Sequence, residues 1–239
     1  MPLDLATLAQ HYGRSQHPAP PYHLGTRYNG AGEFLPEPGN TIVSHLVAGS
    51  ETEKALIEAQ QSLLAMPEAH KLAFTPIESY HMTLFQGILE GRRKAPYWPE
   101  DVAEDTAIAE MTALYQQRLV GFEGGPRFSV EVTAVLPTGL IVDGVSETDR
   151  RVMAAWRDKL AELFGYRHPD HDSYKFHITM AYMADWLDDE GLPGWCDTLN
   201  AIAEDIRARA PVLELRAPAF CSFADMKWFE ELVVLQPKG

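Results

Sequence analysis

Residues 80–85 read YHMTLF, and residues 176–181 read FHITMA. Each run holds His-x-Thr followed by an apolar residue: His81 and Thr83 in the first, His177 and Thr179 in the second. Side chains alternate faces along an extended strand. His81, Thr83 and Phe85 therefore share one face with Ser79, while Tyr80, Met82 and Leu84 share the other. In the second run Lys175, His177, Thr179 and Ala181 lie on one face, and Phe176, Ile178, Met180 and Tyr182 lie opposite. One face of each strand is bulky and apolar and asks for cover by helices. The other carries an imidazole and a hydroxyl. A single His-x-Thr in a strand is common; two, in opposite halves of one chain, predict one cleft lined by two imidazoles and two hydroxyls.

The surrounding sequence reads as alternating strands and helices. Residues 1–40 form a Pro- and Gly-rich N-terminal arm with one short helix at its start. The arm's aromatics Tyr22, Tyr28 and Phe34 predict that it packs, and Arg27 and Tyr28 are candidates to fold over the cleft, with no spacing that assigns them there. Residues 41–48 are β-branched and read as a strand. Ser50, with Glu53 three positions on, reads as the cap of a helix running to about Ala65. Strands follow at 71–75 and 80–88, a helix at 100–119, and a hairpin at 128–136 and 139–145. A helix is expected over 147–164, with Val152, Trp156, Leu160 and Leu163 on one stripe. A strand at 174–183, a helix at 185–208 and strands at 212–217 and 228–235 complete an α+β pattern. Residues 41–239 are read as a single bilobal domain.

The chain has 239 residues, enough for one large domain or two lobes with real cores. It is 46% hydrophobic and 23% charged, as soluble globular chains are, and no apolar run is long enough to span a membrane. No basic-then-apolar leader pattern opens the sequence, and two cysteines, Cys196 and Cys221, fit a reducing compartment. A cytoplasmic location is expected, without membrane contact. The net charge of −14 argues against a binder of long nucleic acid. A small phosphate-containing partner, a cyclic nucleotide or a short oligonucleotide held in a local positive site, remains compatible.

Paired imidazoles have a specific use. One neutral histidine takes a proton from an attacking water, and one protonated histidine gives a proton to a leaving oxygen. Two threonine hydroxyls between them donate to the non-bridging oxygens of a phosphate. This is acid–base cleavage of a phosphodiester, with no cofactor and no metal required.

The two motifs, His81-Met82-Thr83-Leu84 and His177-Ile178-Thr179-Met180, resemble the signature of the two-histidine (2H) phosphoesterase superfamily, which includes 2′-5′ RNA ligase-like proteins and 2′,3′-cyclic phosphodiesterases. The stretches PGNTIVSHL, SYHMTLFQG and YKFHITMAY are similar to an uncharacterised branch of it. The resemblance covers roughly residues 38–236. It implies a bilobal 2H phosphoesterase-like fold, with two antiparallel sheets facing a central cleft and helices outside. It also implies His81, His177, Thr83 and Thr179 as catalytic residues of a metal-independent cyclic phosphodiesterase. Two rival functions are a catalytically silent nucleotide-binding module and an RNA-end processing or ligation enzyme.

Further candidates are weighed against plainer roles. Lys175 should face the cleft and hold a phosphate oxygen, unless it is a lysine at a sheet edge reaching to solvent. Ser79 holds the equivalent place before His81. His45, in the first strand, touches substrate if that strand neighbours a motif strand; a satisfied strand histidine is the plainer role. Phe85 follows Thr83 on the cleft face. Phe223 and Trp228 offer stacking surfaces for a base, with core packing as the default. The loop RHPDHDSY (167–174) has metal-ligand composition without metal-ligand spacing, so it reads as a polar rim. Arg167 within it is a possible phosphate contact.

Overall fold

A computed structural model describes residues 2–237. Nine strands and five α-helices follow one another in those residues. In chain order they are α1 (Leu5–Tyr12), β1 (Gly39–His45), α2 (Glu51–Leu64), β2 (Leu72–Phe74), β3 (His81–Phe85), α3 (Ile108–Arg118), β4 (Val130–Leu136), β5 (Gly139–Gly144), α4 (Glu147–Phe164), β6 (His177–Thr179), β7 (Ala181–Met183), α5 (Leu192–Arg209), β8 (Ala219–Phe223) and β9 (Glu230–Val234). The α+β class holds, with two antiparallel sheets.

The larger sheet has seven strands in the order β4-β5-β6-β3-β1-β8-β9. The motif strands β3 and β6 are its central neighbours. They join its two halves through one pair, Met82 opposite Ile178. Both side chains are fully buried in the core that α2 and α5 help to build. Fully burying each is worth roughly 1.5–3 kcal/mol. A one-residue slip would turn both outward, so their burial pins the register.

The reading of 174–183 as one strand needs correction, because the chain breaks at Met180. Residues 177–179 pair with β3 and β5, whereas Ala181–Met183 pair with β2 in a separate two-stranded sheet. The amides of Met180 and Ala181 both donate to the carbonyl of Thr138, at 2.9 and 3.1 Å, and Thr75 N–H donates to the Met180 carbonyl at 2.9 Å. Gly139 makes the junction possible. Its φ is +143°, and a Cβ there would collide with the carbonyl oxygen of Ile178.

Other expectations shift locally. Ser50 caps α2 by accepting from the Glu53 amide at 3.1 Å, as its sequence suggests, while Glu53 reaches Gly49 N–H. The helix expected from 100 begins only at Ile108, and the one expected from 185 begins at Leu192, where Pro193 fits the first turn. The expected strand at 212–217 keeps a single bridge, Leu46 to Leu215. The β-strand there is β8, which starts just after Pro218, a residue with no N–H to give a ladder.

The N-terminal residues pack on the rim of the sheet. Leu8 and Tyr28 are buried, and the Tyr28 hydroxyl donates to the Met183 carbonyl. Arg14 pairs with Asp185 at 2.6 Å and Asp188 at 2.9 Å. Tyr22, expected to pack, is 89% exposed. Among the described residues, no helix is long and apolar enough to cross a membrane.

Candidate active site

The Met82–Ile178 pair fixes the geometry of the two motifs. In an antiparallel ladder, continuing that register sets His81 opposite Thr179, and Thr83 opposite His177. All four side chains sit on the sheet face away from Met82 and Ile178. They line one cavity of about 200 Å3, together with Ser79, Gln86, Arg27, Arg92, Tyr182 and Phe229. A second cavity, of about 610 Å3, shares His23, His177, Thr179 and Tyr182 with the first and is otherwise mostly apolar and aromatic.

The two histidines are held in the same way. His81 Nδ1–H donates to the Ser79 carbonyl at 2.7 Å, and His177 Nδ1–H donates to the Lys175 carbonyl at 2.9 Å. A carbonyl only accepts, so each Nδ1 carries the proton. Each Nε2 is left for the cavity. Burial drives the His81 pKa down to about 3, with His45 and His177 adding to the fall and the Ser79 carbonyl opposing it. His81 is therefore neutral at physiological pH, beneath the ring of Phe229 at 4.2 Å.

Each threonine has a tyrosine beside it. Burial pushes Tyr174 up to about 12, while Arg157, Gln86 and Thr83 pull it back. Burial also raises Tyr182, against the pull of Arg27 and Thr179. Tyr182 was expected on the helix-covered face. The break at Met180 reverses the alternation, so Tyr182 turns into the cavity and Ala181 into the core. Nothing in the apolar run itself marks that break.

The remaining candidates divide. Ser79 lines the cavity, but its hydroxyl donates to the Pro76 carbonyl at 2.7 Å, so it serves His81 through its backbone. Phe223 lines the cavity wall. Lys175 does keep the face of His177, but its exposed side chain borders the second cavity and stands outside the lining of the first. His45 faces His81 across β1 and β3, with ring centroids 5.9 Å apart, and its Nδ1 lies 3.1 Å from Glu231. It stands behind His81, outside the cavity lining, and burial lowers its pKa.

Three expectations are corrected. Phe85 is buried in the core, because Tyr166 and the buried His168 and His171 fold over that end of β3. Trp228 is 61% exposed at the β8–β9 turn, and its neighbour Phe229 faces the cavity in its place. Arg167 lies outside the cavity lining and pairs with Asp158 and Asp172. Those two carboxylates and His171 are close enough together to suit a metal, but the guanidinium already occupies both acids.

Sequence reasoning passed over Arg92 and His23 entirely. Arg92 lies in an irregular stretch, GRRKAPYWPE, where no periodicity assigns a face. Arg27, expected over the cleft, does line it and pairs with Glu37 at 2.6 Å.

A family model described as 2H-phosphodiest, domain of unknown function (DUF1868), matches residues 27–141, a span that includes the first motif. The chain is similar to the solved structure of the conserved protein of unknown function ATU0111 from Agrobacterium tumefaciens str. C58. The two share 49% identity and a TM-score of 0.94, over 96% of this chain and 98% of that one. It is also similar to TT0787 of Thermus thermophilus, at 17% identity and a TM-score of 0.41, over 84% of this chain and 99% of that one. No curated protein matches the chain.

Proposed function

The chain belongs to the 2H-phosphodiesterase family, and from that premise we propose that it hydrolyses a small cyclic phosphodiester of the nucleoside 2′,3′-cyclic phosphate type. Membership supports a phosphoesterase-type activity; the substrate class and mechanism are our reading. The observation that carries it is the square of His81, Thr179, His177 and Thr83 on one sheet face, opening on one cavity.

We assign His81 as general base and His177 as general acid. His81 is the deeper, held neutral by burial, and so is ready to accept a proton from water. The negative charge of a bound phosphodiester raises its basicity. His177 borders both cavities, so a leaving oxygen whose organic group lies in the aromatic second cavity departs beside it. The water oxygen bonds to phosphorus as its proton passes to His81 Nε2. The bond from phosphorus to the ring oxygen breaks, and that oxygen takes a proton from His177 Nε2. The product is a phosphate monoester. Thr83 and Thr179 donate to the non-bridging oxygens as charge builds on them. The first cavity alone is smaller than the roughly 300 Å3 at which ligand sites begin, so a nucleotide-sized substrate uses both.

A screen of 2′,3′-cyclic nucleotides and 2′-5′-linked dinucleotides, with phosphorus NMR of the product, tests the activity in the presence of chelator. His81→Ala and His177→Ala should each lower the rate by on the order of 10²–10⁴. A p-nitrophenyl phosphodiester, whose leaving group needs no proton, separates the roles. It should restore turnover to His177→Ala and not to His81→Ala. Rescue of the other variant reverses the assignment, and undiminished activity in both variants overturns the proposal.

A further inference from the structure

Two neighbouring arginines follow β3, and they are treated differently. Arg93 is fully engaged. It pairs with Glu90 at 2.6 Å, donates to the carbonyls of Glu104 and Thr106, and lies over the ring of Trp98. Arg92 turns into the active cavity and rests on the ring of Tyr97, 4.7 Å from its centroid. Among the described residues it forms no ion pair, and its Nε is buried without a hydrogen-bond partner.

A guanidinium removed from water without an anion is costly. The neighbourhood does not meet that cost. Beyond burial, the groups bearing on Arg92 are Tyr97, whose ring it rests on, then Arg27, which repels it, then Tyr166 and, most weakly, Glu37; the formally charged ones are Arg27 and Glu37, already paired with each other. His23 lies in the same field, its pKa lowered to about 4 by burial and by Arg27, and it is neutral at physiological pH. This end of the cavity therefore holds two guanidiniums against one carboxylate, in a chain whose net charge is −14. Arg27 lies over the ring of Tyr182, 5.2 Å from its centroid, and Tyr182 stands beside Thr179, so Tyr182 lies between the arginine end of the cavity and the His–Thr square.

We propose that Arg92, supported by Arg27, holds a second anionic group of the substrate, a phosphate monoester or diphosphate carried on the same molecule as the scissile diester. The planar fork of Arg92 suits two phosphate oxygens at once, and its buried Nε–H has no protein acceptor to satisfy it. The identity of the scissile group rests on the phosphodiesterase reading; the second anion rests on Arg92 itself.

Binding without turnover tests it on the full chain. By calorimetry, adenosine 3′,5′-bisphosphate should bind roughly 10- to 100-fold more tightly than adenosine 3′-monophosphate. In Arg92→Gln that ratio should collapse toward one, with Arg92→Lys in between. Should Arg92→Gln fail to fold, Arg92→Lys, which keeps the charge and loses the fork, carries the test with at least a severalfold drop in the ratio. Equal affinities in the wild type, failure of both ligands to bind, or a ratio that survives both variants overturns the proposal. A ratio that appears while no cyclic phosphate is turned over upholds the anion subsite and removes the phosphodiesterase reading instead.

Discussion

The rings of His81 and Phe229 lie 4.2 Å apart, centroid to centroid, and Phe229 is 7% exposed. The phenyl ring takes part in burying the imidazole, and burial brings the His81 pKa to about 3 against an ordinary 6.5. Phe229→Ala admits water and should move that pKa upward. The base acts only when neutral, so the acid limb of kcat/KM should shift to higher pH. A pH–rate profile with an unmoved acid limb would show that Phe229 has no part in tuning the base.

Tyr182 stands beside Thr179 and Arg27. Tyr182→Phe keeps the ring and removes the hydroxyl. The catalytic rate should fall by on the order of tenfold, the worth of one hydrogen bond of about 1.4 kcal/mol. Steady-state kinetics identical to wild type would reduce Tyr182 to a cavity wall.

Gly139→Ala places a methyl against the Ile178 carbonyl at a φ of +143°. Backbone strain of this kind costs about 1–3 kcal/mol, before the collision is added. The melting temperature should drop by several degrees, and turnover should fall with it, because Ile178 lies between His177 and Thr179. Calorimetric melting checks the first effect, and an unchanged melting temperature would show that the junction yields freely.

His168 is 4% exposed, with both ring nitrogens unpartnered, and burial holds its pKa near 4 against 6.5. In the unfolded chain it takes up a proton as pH falls below about 6.5; in the folded chain it does not until about 4. Between those values the unfolded state binds more protons, so stability is complete above the window and is lost as pH falls through it. His23 and His81 act in the same sense. His168→Phe should flatten the dependence of stability on pH between 6.5 and 4, by at most about 1.4 kcal/mol per pH unit. Urea titrations at several pH values give that slope directly, and a slope equal to wild type would assign the acid sensitivity elsewhere.

The doubled motif was legible because alternation along a strand is local. His81, Thr83, His177 and Thr179 needed only a period of two and an apolar opposite face. Ser50 was legible for a similar reason, since a cap bonds to its own helix. The change of face at Met180 was not, because it is imposed by Thr138 and Thr75, distant in sequence. That one kink explains both the missed Tyr182 and the misplaced Ala181. Phe85 has the expected alternation but is covered by residues some eighty positions later, which no local pattern announces. Arg92 and its neighbour Arg93 look alike as letters, and only tertiary contacts tell the satisfied one from the unsatisfied one.

Met82 opposite Ile178 is the one residue pair by which β3 meets β6. Each side of that seam supplies one imidazole and one hydroxyl, and neither side alone holds an acid and a base. Turnover therefore doubles as an assembly assay. If the chain is cut between α3 and β4 and the fragments are mixed, only reunited pairs contribute to the rate, so catalysis counts correctly joined molecules in a population where spectroscopy sees an average.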